Sequence, residues 1–422
     1  MIVGDDSMRK IYTSVDIGSD SIKVVVLELH QNKLNLLAVS SVKSSGIKKG
    51  LIINANTALS ALQQALKEVE NMLGIRIKKV LTLIPMHNAQ YIYSKEKIKI
   101  TEKQDESKKV TGDDINNGFR ALVQNKIQDG YELVTIHPID FAVDDRTALK
   151  DPKGLSGEEL GCRGMVVTTP KKNIYSVVGL IESAGIEVVD VAINSIGDSY
   201  TLRNSETSQQ VGAIINIGAA TTTVAIYNKG IIIKGNVIPI GGQNIDSDIA
   251  YIFKLTLNNA RELKEKFACA HRRYASPDEV REVTNIHGET IKINQYELSE
   301  VVMFRMEEIL ELVKKELNAL TNKKMHYIIL TGGVSHLTNL QNLAEDVLEK
   351  KVSVGNVRVI GARNNKFSSV IGSVVYFINK LNIKGKEYSM FSKLEQSEIS
   401  EVRKGDSDNT VINRIFGFFT NE

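Results

Sequence analysis

Apolar and polar positions alternate in short bursts at the start of the chain. Residues 11–18, 22–29 and 34–41 are each β-rich and bounded by turn residues, which predicts three strands in a meander. The period then changes. Ala58, Leu59, Leu62, Leu66, Val69 and Leu73 recur at three- and four-residue steps, the mark of one long helix, and Gly74 supplies its stop. Residues 80–84, closed by Pro85, read as a fourth strand, so the opening order is β-β-β-α-β.

The texture differs over residues 89–169. Charge-rich stretches (95–109) and a turn-rich run (151–164) flank a helical pattern at 113–128 and a strand at 132–139, which predicts a small inserted α/β subdomain. A helix at 172–184 and a strand at 186–191 return to the first style. The opening pattern then repeats: 211–217, 222–227 and 231–237 predict strands, followed by a helix at 244–253. Aligning VDIGSDSIKVVVLEL with INIGAATTTVAIYNK sets Asp16 on Asn216 and Gly18 on Gly218, so the chain consists of two related halves facing each other. Residues 257–320 read as mainly helical with an interruption near 285–290. A strand at 327–330 runs into Thr331-Gly332-Gly333 and a helix at 339–348; residues 370–378 fit a buried element.

Composition narrows the function. The chain has 422 residues, enough for about two to four domains, and its net charge of +3 is too balanced to argue for a nucleic-acid partner. The two cysteines, Cys162 and Cys269, lie far apart in sequence and read as small core side chains in a reducing compartment. The start of the sequence lacks the pattern of a secretory signal, and no apolar run approaches the length of a membrane span.

Three turns carry candidate chemistry. Asp16, Gly18, Ser19, Ser21 and Lys23 occupy a strand-turn-strand corner that can aim backbone N–H groups, hydroxyls and an ammonium at a phosphate. Asp16 at the strand end can hold hydrated Mg²⁺ through its waters. Asn216, Gly218, Thr221 and Thr222 repeat the corner in the second half, and Gly332-Gly333 forms a strand-to-helix turn where a ligand can approach backbone closely. Singly, each reads equally as an ordinary turn; together they describe a nucleotide clamped between paired domains. No zinc-ligand cluster, P-loop or Ser-His-Asp set competes.

Near the end, residues 386–409 are polar and charge-mixed and read as a flexible linker. Beyond it, Val411, Ile412, Ile415, Phe416, Phe418 and Phe419 fall within an arc of roughly 160° on a helix, with Arg414 opposite. Such a segment is too short to span a bilayer and fits a helix lying in the interface, Arg414 toward the headgroups. The alternative is a tail that docks on its own core or on another subunit.

The order of these elements resembles the actin-like ATPase superfamily and, within it, the FtsA family. Further runs carry the likeness: Ile136-His137-Pro138, the stretch 151–157 (DPKGLSG), 237–242 (VIPIGG), 247–250 (SDIA) and 329–333 (ILTGG). The resemblance implies an α/β, actin-like two-domain fold with an FtsA-type insertion. Subdomain 1A would comprise 11–87, 170–204 and 371–385; 1C would be 88–169; 2A would be 205–246 and 327–370; 2B would be 247–326; and the membrane helix 410–420. It implies ATP and Mg²⁺ as ligands, with Gly242 and Lys264 added to the nucleotide set, and no catalytic residue is assigned. It further implies self-assembly into filaments, the FtsZ C-terminal peptide bound on 2B beside Arg305 and Glu308, other division proteins bound through 1C, and a peripheral place on the cytoplasmic face of the membrane at the division site. Arg305 and Glu308 read equally as an i,i+3 surface ion pair.

The chain departs from the family pattern at Asn216, where Asp is usual; at Ala219 and Ala220, where Gly-Gly is usual; and at Thr223, Val334 and Ala268. Arg261 takes a Glu position, and Met303 and Phe304 replace polar and Pro residues. These changes weigh against ATP hydrolysis, because a neutral amide holds a hard cation less well than a carboxylate. Two other readings share the fold: a small-molecule kinase, which would need intact phosphate turns and a carboxylate base, and a PilM-type pilus scaffold, which has no use for the terminal helix.

Overall fold

The computed structural model describes residues 9–101 and 108–399. The expected membrane helix, Val411 to Phe419 with Arg414, lies outside the described residues.

The first half is built on a five-stranded sheet. Lys10–Ile17, Ser21–His30 and Lys33–Lys43 form an antiparallel meander, and Lys79–Ile84 and Glu187–Ile193 extend it in parallel from the Lys10–Ile17 side. The first two strands are buried on both faces, one covered by the helix Ala55–Leu73 and the other by the helix Ser368–Ile383. The Ala55–Leu73 helix is punctuated as its sequence predicts: the Asn54 side chain accepts from Thr57 N at 3.2 Å, and Gly74 ends it at φ +74°.

The second half repeats this plan. Val211–Ile217, Thr222–Asn228 and Ile231–Ile238 form the meander, and Tyr327–Thr331 and Ser353–Val354 extend it in parallel. One apolar core runs from the first-half sheet to the near face of the second-half sheet, taking in Ile214, Ala225, Tyr227 and Ile329, and a second core lies on that sheet's other face.

Between the repeats sits a separate antiparallel sheet in the order Gln90–Lys99, Glu159–Pro170, Tyr131–Val143, Arg146–Leu149, with a core of its own under the helix Gly112–Val123. The strands Gln90–Lys99 and Glu159–Pro170 reach into the charge-rich and turn-rich stretches, and the exposed positions Lys95, Lys97 and Lys99 of the first are charged. The helix starts at a capping box between Thr111 and Asp114 and ends four or five residues before the sequence pattern predicts.

Residues 247–326 also differ from the mainly helical expectation. Helices Gly242–Ile252, Leu257–Lys266 and Gln295–Leu320 enclose a hairpin, Val280–Thr284 with Thr290–Asn294. Its β-branched alternation is only ten strand residues long and is outweighed in the sequence by the helical periods on either side.

A helix that the sequence pattern did not reveal, Asn194–Leu202, crosses Ser368–Ile383 at Gly197 and Gly372. A Cβ on Gly372 would stand 1.7 Å from Gly197 O, so the two backbones meet with no room for a side chain. The Asn194–Leu202 helix also packs on the Val211–Ile217 strand, where Asn216 meets Asp198, and so joins the two halves.

The stretch 386–399 departs from the linker expectation. Met390 N donates to Ile11 O at 2.9 Å, Tyr12 Oη donates to Tyr388 O at 2.8 Å, and Met390, Phe391 and Ile399 are buried. These three, with the partly buried Tyr388 ring, are enough to dock an otherwise polar run on the first strand. Cys162 and Cys269 are free and buried, as core side chains. No described helix is long and apolar enough to cross a membrane.

Candidate functional site

The two strand-turn-strand corners face each other across a cleft of about 500 Å³, within the range of small-ligand pockets. Asp16, Gly18, Ser19, Ser21, Lys23, Asn216, Gly218, Thr221, Gly242, Lys264, Gly332 and Gly333 all line it. Thr222 does not: its side chain turns into the wall and donates to Ile240 O at 2.9 Å, because alternation along the strand points it away from the cleft.

On the first wall, Lys23 Nζ lies 2.8 Å from Asp16 Oδ2, both side chains nearly covered. They face each other directly across the hairpin. Gly18 N donates to Ser21 O at 3.2 Å and closes the turn, while the Ser19 hydroxyl accepts from Gly50 N at 2.6 Å. A loop carrying Gly50 therefore packs over the tip.

On the second wall, Gly218 N donates to Thr221 O at 2.9 Å, the same closure. The start of the Gly242–Ile252 helix is tied to this turn: Gly242 N donates to Gly218 O at 2.9 Å and Gln243 N to Ala219 O at 2.7 Å. Gly332 has φ +89°, and a Cβ there would strike Asn216 Oδ1 and Ile217 O, both 2.4 Å away; only glycine fits. A Cβ on Gly333 would meet nothing within 4 Å, so that face is open to a ligand. Val334 fills the space above Gly242.

Lys264 is buried at the cleft floor. Its Nζ stands 2.5 Å from Asp246 Oδ1, a charge contact rather than a well-directed hydrogen bond, and donates to Gly242 O at 3.1 Å. Burial pushes the Asp246 carboxyl upward against the pull of Lys264. At the rim, Arg261 forks onto Asp20, and its Nε donates to Glu265 Oε1 at 2.8 Å. Burial works to raise the Asp20 carboxyl, but hydrogen bonds and charge from Arg261, with Lys23 and Lys366, outweigh it and hold it below the ordinary range. Burial, then Lys23, lowers Lys366.

Behind the cleft, Asp198 is 1% exposed. It accepts from Ser368 Oγ at 2.5 Å, Ser369 Oγ at 2.7 Å and Asn216 Nδ2 at 2.8 Å. Burial still leaves its carboxyl raised, with the charge of Asp16 adding to the effect.

Sequence reasoning missed Asp20, Asp198, Asp246 and Lys366. Asp20 lies within the quoted turn, and Asp246 four residues past the Gly241-Gly242 run, so proximity to those motifs was the available signal. Asp198 and Lys366 carry none: they reach the site through the helix crossing and a loop.

Arg305 and Glu308 lie elsewhere, on the Gln295–Leu320 helix. Arg305 pairs with Glu308 and more fully with Asp248, with Nε–Oδ2 at 2.5 Å and Nη2–Oδ1 at 3.0 Å. They edge a shallow groove with Tyr251, Ile252 and Phe304, which are 76%, 53% and 62% exposed. Large apolar side chains standing together in water mark an interaction surface.

Two family models match the chain: "Cell division protein FtsA" over residues 213–372 and "SHS2 domain inserted in FTSA" over 88–168, together more than half its length. Curated relatives include the cell division protein FtsA of Bacillus subtilis, 28% identical over 401 residues (94% of this chain and 90% of that protein), and that of Enterococcus faecalis, 27% identical over 434 residues (97% and 98%). Among solved structures, the PilM–PilN type IV pilus biogenesis complex aligns with TM-score 0.57 at 17% identity, covering 86% of this chain and 98% of that one. MreB5 of Spiroplasma citri bound to ADP aligns with TM-score 0.53 at 13% identity, covering 90% and 99%. These structural likenesses place the fold among actin-like proteins.

Proposed function

Because this chain belongs to the FtsA family of actin-like cell-division proteins, we propose that it binds ATP, self-assembles and anchors FtsZ filaments to the cytoplasmic membrane during septum formation. The observation that carries the nucleotide part is the convergence of three glycine turns, from two repeated halves, on one cleft. The residues fit a nucleotide: Gly332 and Gly333 leave backbone exposed, and Lys23, Lys264 and Lys366 supply positive charge around it. Mg²⁺, held by Asp16 through water, supplies neutralisation of the phosphates when bound. Asn216 is neutral and committed to Asp198, so this chain is a nucleotide-binding scaffold and at most a weak ATPase.

The groove beside Arg305 suits an acidic, partly apolar peptide such as the FtsZ C-terminus. Residues 88–169 offer a separate surface to other division proteins, and residues 410–420 attach the assembly to the inner face of the membrane at the division site. A single short helix binds lipid weakly, and many copies on one filament bind firmly.

The test is sedimentation of FtsZ with anionic vesicles, using the intact protein and a chain ended after Gly405, alongside calorimetry of ATP with Mg²⁺. FtsZ pelleting only with the intact protein supports both ends of the tether. If the protein pellets but FtsZ does not, the membrane helix stands, the partner assignment fails and another actin-like scaffold takes its place. If the intact protein stays in solution at low and moderate salt, the tether reading fails. Absence of heat on ATP addition overturns the nucleotide assignment.

A further inference from the structure

Arg261 and Asp20 stand on opposite walls of the cleft, 241 residues apart in sequence. Asp20 is at the tip of the first-half turn; Arg261 is on the Leu257–Lys266 helix of the second half. The guanidinium meets the carboxylate as a fork, Nη2 to Oδ2 at 3.0 Å and Nη1 to Oδ1. Glu265 Oε1 takes the remaining Nε hydrogen at 2.8 Å, so both sides of the fork are held. Among the described residues, this is the hydrogen-bonded link between residues 247–326 and the first half.

We propose that Arg261 and Asp20 form a latch that holds the two halves together across the cleft mouth with no ligand between them. Each half is built on its own sheet, and the halves join behind the cleft along the Asn194–Leu202 helix, where Asn216 donates to Asp198 and Tyr227 Oη to Ser195 O. A joint confined to the back permits rotation about it. Opening therefore separates the rim most, and the rim is where Arg261 meets Asp20. A bidentate, charge-assisted pair resists that separation more than a single contact would. In a cleft without such a pair, a ligand bridging the walls is what draws them together. Here the pair itself draws the walls together, so closure depends less on the ligand. If the nucleotide assignment holds, incoming phosphates compete with Asp20 for Arg261, and the ligand exchanges one bridge for another.

The test uses the full chain with cysteines placed at Ile53 and Ile286, exposed positions on opposite halves, each carrying a spin label. The native thiols stay unlabelled: burial pushes Cys162 up to about 12 and raises Cys269. The distance between labels is read without nucleotide. The latch predicts one narrow distance in the parent. Arg261→Gln and Asp20→Asn each raise the ratio of open to closed molecules by about two- to tenfold, the range of a half-exposed charged pair, and the double variant opens no further than either single. A parent already as broad as Arg261→Gln overturns the latch. So do single variants with unchanged distances, or a double variant that opens further than both. Thermal melts confirm that the variants fold, which a rim pair permits. Because every arm is read without ligand, failure of ATP to bind in calorimetry rejects the nucleotide reading while leaving the latch to stand or fall on its own distances.

Discussion

Asn216 donates its side-chain amide to Asp198 Oδ2 at 2.8 Å, joining a second-half strand to a first-half helix behind the cleft. This contact explains the absence of the usual aspartate. With Asp at 216, two carboxylates would face each other where Asp198 is almost wholly buried. Asn216→Asp is expected to cost about 1–3 kcal/mol, since it replaces a donor with a like charge. The double variant Asn216→Asp/Asp198→Asn restores most of that loss. Urea denaturation of the three variants checks it, and a neutral Asn216→Asp single would refute it.

Asp198 also sets a pH dependence. Its carboxyl is raised by burial in the folded chain, so the folded state holds the proton more tightly than the unfolded one. The contribution is fully present below the unfolded value of about 4 and is lost as pH rises through the folded value. Asp198→Asn removes this dependence. The stability of Asp198→Asn relative to the parent should rise as pH increases from about 4, as measured by denaturation midpoints across the series.

The Lys264–Asp246 pair predicts a different signature. Lys264→Met leaves a carboxyl buried with no counter-charge and is expected to destabilise by about 3–5 kcal/mol at neutral pH. Acidification relieves part of this, because the carboxyl can take a proton. Lys264→Met/Asp246→Leu should recover stability and, if ATP binds in the cleft, should not recover its affinity, which melts and calorimetry separate.

Two glycines in helices give opposite expectations. Gly372→Ala drives a Cβ into Gly197 O and is expected to cost about 1–3 kcal/mol or more. Gly179, in the helix Lys171–Ser183, has nothing within 4 Å of its would-be Cβ. Gly179→Ala should stabilise by about 0.5–1 kcal/mol. Thermal melting of the pair tests whether contact, not helix propensity, governs the crossing.

At the groove, Phe304 is mostly exposed, so Phe304→Ala should leave stability within about 0.5 kcal/mol. If the groove receives the FtsZ C-terminal peptide, the same change weakens binding by about tenfold. Fluorescence anisotropy of the labelled peptide reads it.

The repeat was legible because its signals are local. Asp16 and Asn216 sit at equivalent strand ends, and the glycine turns after them have a fixed spacing, so strand meanders and cleft could be placed from periodicity and alignment. What escaped is what depends on the approach of distant segments. The Asn194–Leu202 helix has a buried polar face, including Ser195, Asp198 and Ser199, and its apolar period is weak. Asp20 and Arg261 meet only because the halves fold over each other. Residues 386–399 read as linker because four docking side chains are diluted among charged neighbours. The inserted sheet was underestimated for a related reason: its outward strand positions carry the charges that made the region look irregular.

The docking of Tyr388 and Met390 on Tyr12 and Ile11 has a mechanical side. The Lys10–Ile17 strand holds these tail contacts at one end and Asp16 at the other. Tension on the chain beyond residue 399 is therefore received along this strand, whose bonds to both neighbouring strands share the load in shear. If residues beyond 399 are anchored as proposed, a pull on them is delivered to the edge of the cleft.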